Sequence, residues 1–227
     1  MTAQILKIQL VARTSVSTGF QPKLPFEDIY LKGYDLLLRE PERPRVVITG
    51  TRDASGYGIS CTNQLVTALS KIKGPKAPII ITGLAMGIET VALKAALYHG
   101  LPAVAVMATG FDEIYPRQNT LLAQEILDSG QGCLVTPFPE KTAPLAINFL
   151  LRRDVMAALA DYVVIAETRL KGGAIMTARY AKDLGAKVFA IPGRIEDPRS
   201  QGCNELISEK IAEMLPNVND IIKIINP

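Results

Sequence analysis

Six short apolar runs punctuate the chain from residue 45 onward: Val46-Val47-Ile48, Ile79-Ile80-Ile81, Ala103-Val104-Ala105-Val106, Cys133-Leu134-Val135, Tyr162-Val163-Val164-Ile165 and Val188-Phe189-Ala190-Ile191. Within them apolar and polar positions do not alternate. Continuous runs of this kind suit strands buried on both faces, as in a parallel sheet covered by helices. Between the runs the apolar period changes. From Ser60 to Ile72 it falls at Leu65, Val66, Leu69 and Ile72, which is one face of a helix. Comparable stretches run from Ile88 to Tyr98, Gln118 to Leu127, Phe149 to Ala160 and Ile175 to Leu184. Strand and amphipathic helix therefore alternate. The pattern predicts an α/β fold, a Rossmann-like, doubly wound and mostly parallel sheet with helices on both sides. The tail, Ile221 to Ile225, reads equally well as an edge strand or a final turn.

Residues 1–44 follow no such pattern. They are mixed in charge and close on Pro41-Glu42-Arg43-Pro44, a proline density that marks a connection. This section reads as an N-terminal arm or small appendage, and residues 45–227 as the main domain. The apolar content of 48% over 227 residues is ample for a core without a metal or disulfide framework. The cysteines, Cys61, Cys133 and Cys203, are far apart and read as reduced thiols. No run spans a bilayer and the N-terminus lacks the features of a signal peptide, so a cytoplasmic address is expected, with no membrane partner. A net charge of +3 does not itself announce nucleic acid. Any anion site has to concentrate its positive charge locally.

In doubly wound sheets, ligands bind beyond the carboxyl ends of the strands. The residues that follow the runs are Thr49-Gly50-Thr51-Arg52, Thr82-Gly83 through Gly87, Ala108-Thr109-Gly110, Lys171-Gly172-Gly173-Ala174 and Pro192-Gly193-Arg194. Glycines let backbone N–H groups approach an anion, and helix starts add a favourable dipole. Thr49, Thr51, Thr82 and Thr109 offer hydroxyls, and Arg52 and Lys171 add charge. A single glycine at such a place is simply a tight turn. Recurrence at several strand ends points to an anion site near Gly50, Arg52, Gly83, Gly110 and Gly172.

Enzyme signatures are thin. Neither GxGxxG nor a P-loop follows the first run, which argues against a dinucleotide or ATP cofactor. The single histidine, His99, precedes Gly100 and reads as part of a helix C-terminus. Asp112 and Glu113 form a conceivable carboxylate pair, and Glu167 follows a strand. No nucleophile–base or metal-ligand spacing accompanies them.

The strand-end segments, taken in order, resemble the DprA/Smf family of DNA-processing proteins. Gly50-Thr51-Arg52 is similar to the family's G-S/T-R turn. The segment from Thr82 to Glu89 resembles S/T-G-L-A-R-G-I-D. Thr109-Gly110-Phe111-Asp112 with Tyr115, Pro116 and Asn119 resembles T-G-x-D-x-x-Y-P-x-x-N. Lys171 through Ala178, including Thr177, is similar to S-G-S/T-L-I-T-A. Ala190-Ile191-Pro192-Gly193, with Gly202, Asn204, Leu206 and Ile207, completes the set. The resemblance implies a homodimeric protein acting in natural transformation and recombination. It implies single-stranded DNA binding without catalysis, and loading of the RecA recombinase.

Several positions depart from the family pattern. Met86 stands in place of an arginine, Glu89 of an aspartate and Leu93 of a histidine. The F-P-x-R-N-R segment becomes Phe149-Leu150-Leu151-Arg152-Arg153-Asp154, which puts a carboxylate where an arginine is usual. No counterpart of a C-terminal winged-helix extension precedes Pro227. The chain reads as a divergent member without that domain. The expected binding set is Gly50, Thr51, Arg52, Gly83, Gly110, Phe149, Arg152, Arg153, Lys171, Gly172, Gly173 and Thr177. Phe149 reads either as a stacking face for a base or as core at a helix start. Arg152 and Arg153 read either as phosphate contacts or as a solvated helix face. The alternative function is a nucleotide enzyme of the lysine-decarboxylase-like phosphoribohydrolases. Their P-G-G-x-G-T-x-x-E motif is only half matched, because Gly172-Gly173 is followed by neither Gly-Thr nor the glutamate.

Overall fold

The computed structural model describes residues 5–9, 26–35, 40 and 42–226. All six apolar runs become strands of one sheet: β3 (Arg45–Thr49), β4 (Ile79–Gly83), β5 (Ala103–Val106), β6 (Cys133–Thr136), β7 (Tyr162–Ile165) and β8 (Lys187–Ala190). They are mutually parallel wherever they pair. Three strands were not expected. β1 (Ile5–Gln9) and β2 (Asp28–Gly33) extend the sheet past β6, both pairings antiparallel, and the two-residue β9 (Glu213–Met214) adds a parallel edge beside β8. Among the described residues the order is β1-β2-β6-β5-β4-β3-β7-β8-β9. Of residues 1–44, read as an arm or appendage, residues 1–4, 10–25, 36–39 and 41 lie outside the described residues. The described parts supply β1 and β2.

The continuous apolar runs are buried on both sides for the reason their pattern suggests. Val47 of β3 packs into one layer with Ile81 and Val163, while Val46 and Ile48 pack into the other with Ile80 and Val164. Helices α1 (Gly56–Leu69), α2 (Ile88–Tyr98), α3 (Thr120–Asp128) and the short α7 (Ile221–Ile225) cover the second layer. Helices α4 (Ala146–Leu159), α5 (Gly173–Asp183) and α6 (Gln201–Ser208) cover the first. The tail is thus helical, not a strand. Helix α1 begins four residues earlier than its apolar face shows. Ser55 starts it, in extended conformation, with its hydroxyl accepting from the Gly58 N–H. His99 ends α2 as its C-cap, its N–H donating to the Ala95 carbonyl, and its ring meets the Thr67 hydroxyl at 2.9 Å. The thiols of Cys61, Cys133 and Cys203 are free.

Candidate functional site

The strands after β3 step away from it in one direction as far as β6. The chain then returns to lay β7 against the other edge of β3. The helices that follow β3 and β7, α1 and α5, pack on opposite faces of the sheet. Their loops therefore part at the carboxyl ends of these two strands, the place where such sheets open a crevice. A cavity of about 370 Å³ lies there, lined by the loop after β3, the loop before α5 and one side of α4. The Thr51 N–H donates to the Glu167 carbonyl at 2.7 Å and ties the two loops together.

Four arginines reach this cavity: Arg52, Arg152, Arg153 and Arg169. Three are matched to carboxylates. Arg152 is buried, its Nη2 lying 3.3 Å from Glu89 Oε2. Glu89 is itself buried and also accepts from the Thr49 hydroxyl at 2.8 Å and the Ala85 N–H at 3.0 Å. Arg153 Nε donates to Asp154 at 3.0 Å, and Arg169 Nη2 to Asp53 at 2.7 Å. Arg52 pairs with no carboxylate among the described residues; its guanidinium sits 5.2 Å from the centre of the Phe149 ring.

Two features of this cavity favour negative charge. Arg152 Nε is buried with no hydrogen-bond partner among the described residues. Helix α5 starts at the lining residues Gly172 and Gly173 with neither a side-chain cap nor an acidic residue in its first turn. Its first N–H groups and its dipole favour negative charge. By contrast, the nearby α1 start is already served. Glu167 is buried and accepts from both the Ser55 N–H at 2.8 Å and the Ser55 hydroxyl at 2.5 Å.

The structure brings together most, not all, of the expected set. Gly50, Thr51, Arg52, Phe149, Arg152, Arg153, Gly172, Gly173 and Thr177 line this one cavity. Gly83, Gly110 and Lys171 do not. Gly83 lies beneath the Arg152–Glu89 pair, and the space its missing side chain leaves is filled by that guanidinium. Gly110 is pressed against the Pro139 and Glu140 backbone. Lys171 occupies the turn before α5 with φ of 61° and an exposed side chain. Two of the expected hydroxyls are engaged elsewhere. Thr49 serves Glu89, and Thr109 donates to the Glu113 carbonyl at 2.6 Å. Thr82 is buried, its hydroxyl has no partner among the described residues, and it lines neither cavity. Asp154 faces Arg153 and is not part of the lining. Two contributors went unnoticed in the sequence: Arg169, a basic residue at a strand end, and Glu89 as the partner of Arg152.

A second cavity of about 850 Å³ adjoins the first and shares Arg52, Ala85 and Phe149 with it. Met86 and Tyr115 line its far side. No cluster of metal-ligating side chains occurs among the described residues, and no helix among them is long and apolar enough to cross a membrane.

Comparison with known proteins gives this geometry a context. The profile of the family described as DNA recombination-mediator protein A matches residues 22–226. Protein Smf of Escherichia coli is 36% identical over 165 residues, covering 73% of this chain and 43% of that protein. The DNA processing protein DprA of Streptococcus pneumoniae is 32% identical over 179 residues, covering 79% of this chain and 61% of that one. The chain thus spans roughly half the length of these curated relatives. Among solved structures, the DNA processing protein A of Helicobacter pylori, studied for its single-stranded DNA binding mode, superposes with a TM-score of 0.82 at 27% identity. The match covers 99% of this chain and 97% of that one.

Proposed function

The chain belongs to the DNA recombination-mediator protein A family, DprA/Smf, and on that premise we propose that it binds single-stranded DNA through its phosphates, without catalysis. The observation that carries this reading is the cavity between β3 and β7. There an uncapped helix start, the buried Arg152 guanidinium and Arg52, which pairs with no carboxylate among the described residues, converge beside an aromatic ring. A phosphate complements the helix start and Arg52 and lies in the field of the buried Arg152 guanidinium, and Phe149 offers a face to the neighbouring base. The single-stranded DNA binding described for the Helicobacter pylori relative supports the same ligand. RecA loading and homodimer formation belong to this proposal through family membership alone.

Hydrolysis has less in its favour. The two buried carboxylates near the cavity are already committed to structural partners, Glu89 to Arg152 and Thr49, and Glu167 to Ser55. The test is fluorescence anisotropy with labelled oligonucleotides over a salt series. Binding should weaken as salt rises, with a log–log slope of about −0.7 for each phosphate neutralised. Arg52→Ala should weaken strands of every sequence about equally and flatten the slope by somewhat under one unit. A variant that binds like the parent would sink the reading.

A further inference from the structure

The second cavity differs in chemistry from the first. Met86 and Tyr115, each 42% exposed, face it together with Phe149 and Pro144. The Tyr115 ring stands edge-on to Phe149, centroids 5.5 Å apart and planes at 69°. The helical turn at its rim, Arg117–Asn119, follows Pro116, which has no N–H to offer an anion. Glu113 adds a carboxylate to the lining. Neither that carboxylate nor the Gln118 amide hydrogen-bonds to another described residue. A phosphate here would meet Glu113 as well as Arg117 and Arg52, a mixed field without the uncapped α5 start it finds next door. A flat, largely apolar group carrying its own N–H donors meets rings, a polarisable thioether and a free acceptor.

Resting on the single-strand reading above, we propose that this second cavity receives an unpaired base next to the phosphate held in the first. Glu113 gives it a preference for bases with an exocyclic amino group. Continuity supports the assignment. A strand leaving the first cavity crosses the Phe149 ring, under Arg52, and enters the second. Adenine, cytosine and guanine present an exocyclic amino group that a carboxylate can accept from, whereas thymine offers only its N3–H, flanked by two carbonyl oxygens that oppose a carboxylate. The two cavities together then alternate phosphate and base along the strand.

The experiment compares three labelled strands of equal length by anisotropy: oligo-dC, oligo-dT and an abasic strand with the same phosphates. Oligo-dC should bind about tenfold more tightly than the abasic strand and roughly fivefold more tightly than oligo-dT. Tyr115→Ala and Met86→Ala should each reduce the advantage of oligo-dC over the abasic strand, while Tyr115→Phe, which keeps the ring, should retain it. Glu113→Gln should erase the preference over oligo-dT and leave the slope against salt unsteepened. Equal binding of abasic and oligo-dC strands, with Arg52→Ala still weakening both, would overturn the base site and leave the phosphate reading standing. Failure of all three strands to bind at low salt would overturn both.

Discussion

At the scale of single residues the site is organised by Glu89. Its carboxylate holds Arg152 against the cavity wall, takes the Thr49 hydroxyl and takes the Ala85 N–H. The side chains of the pair are 9% and 5% exposed, so most of both charges is out of water. In the sequence Gly83 and Gly87 belong to one glycine-bearing strand end. The structure gives each a different task. Gly83 clears space for Arg152, and Gly87, at φ of 75°, lets the Thr51 and Arg52 carbonyls come close where any side chain would collide. Neither lines the arginine cavity. Removing one partner of a buried ion pair strands the other charge. Glu89→Gln keeps acceptors for Ala85 and Thr49 while leaving Arg152 uncompensated. We expect it to lose roughly 3 kcal/mol in urea unfolding and to regain more of that than the parent does when sulfate is added. Loss of stability with no extra response to sulfate would mean that Arg152 does not face the anion.

At the scale of elements, what the sequence disclosed and what it hid follow from the range of the interactions. The six strands were legible because burial on both faces writes an unbroken apolar run. The α2 limits were legible because its face is apolar from the first turn. The start of α1 was hidden because Ser55 and Glu167, 112 residues apart, set it, and not the apolar period. β2 was hidden because its burial is incomplete, with Ile29 and Leu31 buried and their neighbours partly exposed. In the site, the strand-end loops were legible from their glycines. The pairing of Arg152 with Glu89, across 63 residues, was not. Burial in these elements also has a titratable consequence. It pushes the Cys133 thiol of β6 and the Cys203 thiol of α6 up to about 12, from the usual 9.0. Between those values the unfolded chain releases protons that the folded one keeps, so stability is full below pH 9 and falls as pH rises toward 12. Each thiol contributes about 1.4 kcal/mol per pH unit in that window. Urea unfolding at pH 8, 9 and 10 should show a steeper decline for the parent than for Cys133→Ala. Parallel declines would show that the thiol ionises equally easily in both states.

At the scale of the whole molecule, a net charge of +3 gives little long-range attraction for a polyanion. The field at the cavity is therefore local, and its own carboxylates hold much of it in check. Among the arginines that line it, Arg152, Arg153 and Arg169 each face a carboxylate, and Arg52 pairs with none among the described residues. These pairs are not equal obstacles. Arg152–Glu89 is buried and fixed. Arg169–Asp53 spans the loops after β7 and β3 with its side chains 49% and 71% exposed. An exposed pair of this kind contributes about 0–1 kcal/mol to stability. An arriving phosphate can then take Arg169 from Asp53 at small cost, but the displaced carboxylate stays nearby and opposes it. Asp53→Asn removes that opposition and leaves the guanidinium free from the outset. The variant should unfold at nearly the parent's urea midpoint. It should bind single strands more tightly at low salt, and its log–log salt slope should be steeper by about 0.7, the increment for one further phosphate neutralised. Asp53→Ala should do the same, because the effect is the loss of a charge and not the gain of an amide. An unchanged slope in both variants, alongside a flattened one in Arg52→Ala, would place the strand over Arg52 and Phe149 and away from the β7 loop.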